Sequence, residues 1–184
     1  MSELTVLLAA VRDGDRAAKD RLYQVAYHEL HRLAHARLKR QSRMTLLDTT
    51  GLVHESYLRL AGGTALDLKD RAHFLTYAAK VMRSIVVDYA RRRAADKRGG
   101  NAAVVTMSTN IADAMVTDDE QILRINEALE QLATIDERLV RIVEMRYFIG
   151  LTEKEIAESL GVTDRTVRRE WDKARLFLTA TLKS

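Results

Sequence analysis

The chain has 184 residues, of which 47% are hydrophobic and 30% are charged, with a formal net charge of +4. This balance suffices to form a buried core and excludes a broadly disordered chain. Cysteine and proline are both absent, which excludes disulfides and thiolate metal sites and favours helix almost throughout.

The charges are unevenly distributed along the chain. Residues 83–98 are mainly basic, whereas residues 118–137 are mainly acidic. A basic region beside an acidic one predicts nucleic acid as one partner and a protein as another. No basic segment followed by an apolar run begins the chain, and no window is apolar enough to span a membrane. We therefore expect neither a signal peptide nor a transmembrane helix, and a cytoplasmic location.

Apolar residues at helical spacing predict four helices in the first half of the chain. The first helix ends at Gly14, and Asp15 caps a second helix that runs to about Arg40. A third helix begins near Thr49 or Thr50, and a fourth covers about residues 71–95. The residues predicted to face the core are Leu4, Leu7, Leu8, Val11, Ala18, Leu22, Val25, Leu30, Leu33, Ala34, Leu38, Leu52, Val53, Tyr57, Leu60, Phe74, Tyr77, Ala78, Val81, Ile85 and Tyr89.

The middle of the chain predicts a linker. Residues 101–117 are nearly uncharged and follow no helical or strand period, and Gly99-Gly100 precedes them. Helical periodicity resumes at Asp118. The predicted fold is all-α, with a helical domain at residues 1–98, a linker at 99–120 and a second helical domain at 121–184. The apolar residues that continue the second domain are Ile122, Ile125, Leu129, Leu132, Leu139, Ile142, Val143 and Tyr147.

Two short helices near the C-terminus predict a helix-turn-helix. Thr152 and Glu155 have the spacing of a capping box, Gly161 stands where a helix ends in the left-handed conformation, and Thr163 can cap the next helix. Such a pair of helices lays its second helix into the DNA major groove. That helix has an inward stripe of Val167, Trp171, Ala174 and Leu178 and an opposite basic side of Arg165, Arg168, Arg169, Lys173 and Arg175.

Three stretches, in this order, resemble an extracytoplasmic-function (ECF) sigma factor. LVHESYLRL (52–60) is similar to the helix that docks on the polymerase clamp. RAHFLTYAAKVMRSIVVDYARRR (71–93) is similar to the helix that opens and reads the −10 element, and residues 128–175 are similar to the domain that reads the −35 element. The resemblance implies a bacterial transcription initiation factor that binds core RNA polymerase and promoter DNA, is not an enzyme and needs no cofactor. It leaves open whether an anti-sigma protein is a further partner.

The resemblance assigns six groove-facing residues to the second helix of the helix-turn-helix. Arg165, Arg168, Arg169 and Asp172 recur at helical spacing on one face, which supports the assignment independently. Arginine can donate two hydrogen bonds to guanine. Asp172 either accepts from a cytosine amine or pairs with Arg168 or Arg169, and we favour the pair. The predicted −35 residues are Arg165, Thr166, Arg168, Arg169, Asp172 and Lys173.

Promoter melting needs aromatic and basic side chains that hold single-stranded DNA. Tyr77 stands where Trp is frequent in the family, and Ser84 stands where Asn is frequent. Tyr77 is equally well explained as a core residue, since it lies on the inward stripe. The loop at residues 62–73 is a further candidate. The predicted −10 residues are Tyr77, Lys80, Arg83, Ser84, Arg91 and Arg92.

The start of the clamp-docking helix departs from the family pattern. Typical members have Asp-Ala-Glu-Asp where this chain has Asp48, Thr49, Thr50 and Gly51. Phosphorylation of Thr50, or of Thr49, would restore about −1.5 to −2 charges at a helix N-terminus. This chain resembles the subtype linked to Ser/Thr protein kinases; the alternative is that either threonine is an ordinary N-cap. The predicted polymerase-binding residues are Asp48, Leu52, Val53, Glu55, Ser56 and Arg59.

Other function classes find weaker support. His28, His31 and His35 share one helix face, but without cysteine or a nearby acidic cluster to complete a ligand set we interpret them as surface or clamp-contact residues and predict no metal site. A stand-alone helix-turn-helix regulator is the alternative function, and an adaptor that mimics a sigma domain is the second alternative. Promoter-directed transcription with core polymerase separates these readings.

Overall fold

The computed structural model describes residues 2–40, 49–62, 68–99 and 119–183. Within these ranges the chain is all-α and contains no strand, as predicted. None of the described helices is long and apolar enough to cross a bilayer. The helices are α1 Glu3–Arg12, α2 Arg16–Arg40, α3 Thr49–Gly62, α4 Arg71–Gly99, α5 Asp119–Ile135, α6 Glu137–Glu144, α7 Glu153–Leu160 and α8 Asp164–Lys183.

Short polar side chains fix the helix starts in the N-terminal half. The Asp15 carboxylate accepts hydrogen bonds from the backbone N–H groups of Ala17 and Ala18, at 2.9 and 3.2 Å. This confirms the predicted cap of α2. Gly14, just before it, has a φ of 91°, a left-handed conformation that glycine adopts without strain. The chain therefore turns between α1 and α2 where the sequence predicts it.

The first four helices pack against one another in sequence order, α1 on α2, α2 on α3 and α3 on α4. α4 continues four residues beyond the predicted end at Ala95, to Gly99. Leu33, Ala34, Leu38, Leu52 and Leu60 have side chains outside the described ones. Among the other predicted core residues of this half, the buried ones are Leu4, Leu8, Val11, Ala18, Leu22, Leu30, Val53, Phe74, Ala78, Val81 and Ile85.

In the second half of the chain, the three helices α5, α6 and α7 pack around α8. A single turn of π-helix, Met145–Ile149, follows α6 and contains Tyr147, which the sequence predicts on a helix. Gly150 ends it with a φ of 78°, and this break directs the chain into α7. The core here includes Ile122, Leu129, Leu132, Leu139, Ile142, Val143, Met145, Ile149, Ile156, Val167 and Ala174.

The two halves of the chain lie against each other, because α4 packs on α5, α6, α7 and the π-helical turn. α4 is therefore buried on a second side that its predicted inward stripe does not include. Leu75, Ala79, Met82, Val86 and Ala90 are all at most 5% exposed. The predicted linker at 99–120 falls largely on residues 100–118, which lie outside the described residues; the division into two domains stays a prediction.

Candidate nucleic-acid interface

A capping box and a left-handed glycine define the α7–α8 pair. The backbone N–H of Glu155 donates to Thr152 Oγ1 at 3.2 Å, and the backbone N–H of Thr152 donates to Glu155 Oε2 at 2.9 Å. Gly161 ends α7 with a φ of 65°. A Cβ at Gly161 would meet nothing within 4 Å, so backbone conformation rather than space favours glycine there. The Thr163 side chain accepts from the backbone N–H of Thr166 at 3.2 Å, which caps α8 as predicted.

α8 separates an inner apolar side from an outer basic side. Val167 and Ala174 are fully buried, and Trp171 and Leu178 are half-buried against the same core. On the outer side, Thr166 is half-buried and engaged with Thr163 at 2.9 Å. The other five predicted −35 residues are exposed, namely Arg165, Arg168, Arg169, Asp172 and Lys173.

Glu153, for which the sequence predicts no role, organises part of this basic side. Its Oε2 accepts hydrogen bonds from Arg168 Nε and Nη2 at 3.1 and 3.0 Å, and its Oε1 accepts from Arg146 Nη1 at 3.0 Å. The hydrogen bonds from Arg146 and then Arg168 hold the pKa of the Glu153 carboxyl below its usual value. The Arg146 guanidinium also stacks 4.4 Å from the Trp171 ring centroid. Glu153 therefore orients Arg168 from the neighbouring helix.

The predicted ion pair of Asp172 with Arg168 or Arg169 is wrong. Asp172 pairs with Arg175 at 3.7 Å, in an i,i+3 arrangement. Arg168 turns instead toward Glu153, fifteen residues earlier in the chain. Arg168 pairs with Glu153 rather than with Asp172 because Glu153 accepts two hydrogen bonds from the one guanidinium. A pair with Asp172, four residues later on the same helix, would be a more exposed contact.

On α4, the predicted −10 residue Arg83 points into the contact between the two halves of the chain. Its Nε and Nη2 donate to Asn126 Oδ1 at 3.1 and 2.9 Å, and its Nη2 also donates to the Asn126 carbonyl at 3.2 Å. Its Nη1 donates to Glu144 Oε1 at 2.9 Å. The side chains of Arg83 and Glu144 are 14% and 3% exposed. We call Arg83, Asn126 and Glu144 the Arg83 cluster.

The other predicted −10 residues are placed in three different ways. Lys80 is exposed and pairs with Glu137 of α6 at 3.5 Å. Tyr77 is half-buried and packs against the core. Ser84 is exposed, and its hydroxyl accepts from Arg59 Nη1 at 3.2 Å. The remaining two, Arg91 and Arg92, are exposed.

The predicted polymerase-binding helix α3 presents fewer residues than the sequence suggests. Val53 and Ser56 are fully buried, which argues against a direct polymerase contact for these two in this conformation. Glu55 and Arg59 are half-buried and pair with each other at 3.3 Å, and Arg59 also pairs with Asp88 of α4 at 3.1 Å. Outside what the structure describes lie Asp48 and the side chains of Thr49, Thr50 and Leu52.

The predicted histidine row lies beside an aromatic ring. The His31 ring stacks on Tyr27 with centroids 6.3 Å apart, and the His28 ring meets Tyr27 edge-on at 6.2 Å. His35 has a side chain outside the described ones. No group of three His, Asp or Glu side chains that could hold a metal ion occurs among the described residues.

Three features agree on the nature of this molecule: a capped α7–α8 pair with an exposed basic helix, a long α4 rich in arginine, and an all-α fold. Comparison of the chain with curated proteins gave no match. A family model described as ECF sigma factor matches residues 1–184. The chain belongs to the ECF sigma factor family, whose members direct the initiation of transcription.

Proposed function

We propose that this sigma factor binds core RNA polymerase through α3, reads the −35 element through α8 and opens and reads the −10 element through α4. The observation that carries the proposal is the outer side of α8. Arg165, Arg169 and Lys173 are exposed there, and they make no ion pair within the described parts of the chain. Free guanidinium and ammonium groups in one row suit phosphates and guanine edges.

The orientation of Arg168 adds to this support. Glu153 occupies the Nε edge of its guanidinium, which leaves the Nη1 N–H groups and the second Nη2 N–H for a guanine. A side chain held in place by a neighbour loses less conformational freedom on binding than a free one. Arg168 is therefore the residue of α8 best prepared for base reading.

Run-off transcription with core polymerase tests the proposal, using promoters selected from a randomised duplex library. Wild type should initiate only with core polymerase present, and Arg168→Ala should reduce initiation and relax the selected −35 sequence. Arg16→Ala, an exposed arginine on α2, is the matched control and should behave as wild type. Tight duplex binding by the isolated protein, with no polymerase-dependent initiation, would favour the stand-alone regulator instead.

We further propose that a Ser/Thr protein kinase activates the protein by phosphorylating Thr50, with Thr49 as the second candidate. The first turn of α3 contains no acidic residue. The one carboxylate of α3, Glu55, pairs with Arg59. The resemblance implies that the acidic cluster of typical members pairs with basic residues on the polymerase clamp, and α3 offers such a surface little negative charge. A phosphate at its N-terminus would supply that charge where backbone N–H groups and the helix dipole favour it.

Core-polymerase affinity tests this activation. Thr50→Glu should bind more tightly than wild type by about tenfold, since one charge-assisted contact contributes roughly 1.5–3 kcal/mol. Thr50→Ala should abolish the response to kinase, with helix content checked by circular dichroism. Thr179→Glu, on the distant exposed side of α8, adds the same charge and should leave affinity unchanged. Unmodified wild type that binds as tightly as Thr50→Glu would remove the case for phosphorylation.

A further inference from the structure

The three predicted −35 arginines of α8 are not equivalent in the free protein. Arg168 donates from Nε and Nη2 to Glu153 Oε2, at 3.1 and 3.0 Å. Arg165 and Arg169 are exposed and have no carboxylate partner in the part of the chain that the structure describes. DNA therefore meets one guanidinium whose Nε edge is already occupied and two whose edges are open.

Glu153 is the fixed member of its pair with Arg168. Its second oxygen, Oε1, accepts from Arg146 Nη1 at 3.0 Å. The Arg146 guanidinium lies 4.4 Å from the ring centroid of Trp171, which packs against the hydrophobic core. The side chain of Glu153 is 25% exposed and that of Arg168 is 68% exposed. Arg168 can thus move away from Glu153, whereas Glu153 stays where Arg146 holds it.

The Glu153 carboxylate resembles a DNA phosphate in charge and in the way it accepts hydrogen bonds. Hydrogen bonds from Arg146 and then Arg168 hold the pKa of this carboxyl below its usual value, so it is ionised at neutral pH. A phosphate binds a guanidinium through the same edge that Glu153 occupies. It can take that edge of Arg168 only by displacing Glu153. A guanine that accepts from the Nη1–Nη2 edge leaves the pair intact.

We propose that Glu153 is a positioning residue for −35 selectivity, which keeps Arg168 away from DNA phosphates and leaves it available to guanine. The inference rests on the proposed function of α8. Phosphate contacts supply the sequence-independent part of DNA affinity, and specificity is the difference in affinity between two sequences. A carboxylate that penalises the phosphate contact weakens binding to sequences in which Arg168 finds no guanine. Glu153 therefore increases discrimination without contacting a base.

Glu153→Gln is the variant that tests this role, because it removes the charge and keeps the size of the side chain. Glu153→Ala is the second variant, since glutamine still offers Arg168 a neutral oxygen. Glu158→Gln is the matched control, because Glu158 is exposed on the same helix, α7, and loses the same charge. Arg168→Ala, alone and combined with Glu153→Gln, completes a double-mutant cycle. The cycle shows whether Glu153 acts through Arg168.

The measurement is the affinity of the polymerase holoenzyme for two short duplexes, followed by fluorescence anisotropy over a series of salt concentrations. One duplex carries the −35 sequence selected from the randomised library, and the other carries a scrambled sequence of the same composition. The slope of log affinity against log salt steepens by about 0.9 for each phosphate that the protein neutralises. Local unfolding of α7 would weaken binding to both duplexes and would not steepen the slope. Circular dichroism checks that each variant is folded.

Glu153→Gln and Glu153→Ala should bind the scrambled duplex about fivefold more tightly than wild type, at the upper end for an exposed ion pair. Their salt slope on that duplex should be steeper by about 0.9. Affinity for the selected duplex should change by less than about twofold, so the preference for it falls. Glu158→Gln should match wild type on both duplexes. In the Arg168→Ala background, Glu153→Gln should have no further effect.

Three results would overturn the inference. Equal effects of Glu153→Gln and Glu158→Gln would show that net charge alone is responsible. An effect that persists in Arg168→Ala would show that Glu153 does not act through that arginine. An unchanged salt slope and affinity on the scrambled duplex would show that no phosphate contact is being prevented. The proposed function fails in a different way, because wild-type holoenzyme would then show no preference for the selected duplex.

Discussion

The two predicted DNA-contact surfaces of this protein differ in how the free chain treats them. The basic side of α8 is open, and the Arg168 side chain is 68% exposed there. The side of α4 that carries Arg83 is closed by the C-terminal helices, and the Arg83 side chain is 14% exposed. Both arginines pair with a glutamate at about the same distance, 3.0 Å for Arg168 with Glu153 and 2.9 Å for Arg83 with Glu144.

Burial makes these two ion pairs energetically unlike. An exposed pair is screened by water and contributes little to stability, whereas breaking a buried pair leaves an uncompensated charge in the interior. The Arg168–Glu153 pair can therefore be rearranged by DNA at small cost. The Arg83–Glu144 pair can be rearranged only if the two halves of the chain part. The same pair of residue types thus orients a side chain on one surface and holds two halves together on the other.

The largest expected effect is on the free energy of unfolding, and replacing each of the two arginines by alanine distinguishes their roles. Arg83→Ala should lower the free energy of unfolding by about 3 kcal/mol, because it strands the buried Glu144 carboxylate. Arg168→Ala should change that free energy by less than about 0.5 kcal/mol, as for other surface substitutions. Urea denaturation followed by circular dichroism measures both. Equal effects of the two substitutions would contradict the comparison.

The second effect appears in DNA binding by the open surface of α8. Arg168→Ala or Arg169→Ala should cost roughly 1–3 kcal/mol in binding to the −35 element by the polymerase holoenzyme and relax base preference, if the side chain is bidentate to guanine. Lys173→Ala should weaken binding evenly across sequences, as expected of a phosphate contact. Fluorescence anisotropy with selected and scrambled −35 duplexes distinguishes the two. If none of the three changes binding or transcription, the assignment of α8 to the major groove is wrong.

Features with local causes could be predicted from the sequence. The Thr152–Glu155 capping box, the left-handed Gly161 and the Asp15 cap each depend on residues within three or four positions of one another, and all three are present. The positions of the helices could also be predicted, because the helical spacing of apolar residues is likewise a local property of the sequence. The roles of individual residues at the predicted DNA and polymerase sites stay predictions, and only their placement is known.

The side-chain environments that the sequence does not predict depend on contacts between distant segments of the chain. Arg83 lies 43 residues from Asn126 and 61 from Glu144, so no periodicity in α4 reveals that a second layer of helices covers it. Ser56 is polar and is predicted to bind the polymerase, yet it is fully buried. Arg168 bonds Glu153 across a turn rather than Asp172 on its own helix. In each case the burial or the hydrogen-bond partner of the side chain depends on how the helices pack, which cannot be derived from a single sequence.

The smallest expected effect concerns the pH dependence of the exposed pair. Hydrogen bonds from Arg146 and Arg168 place the pKa of Glu153 below the ordinary 4.5. A carboxylate whose folded pKa lies below its unfolded pKa stabilises the fold fully above 4.5, and it loses that contribution as the pH falls through the lowered pKa. Glu153→Gln should therefore melt at a slightly lower temperature than wild type near neutral pH, and the difference should shrink below 4.5. Thermal melting over a series of pH values measures it, with Glu158→Gln on the same helix as the control. A difference that grows as the pH falls would show that Glu153 stabilises the fold by some means other than its ionised pairs with Arg146 and Arg168.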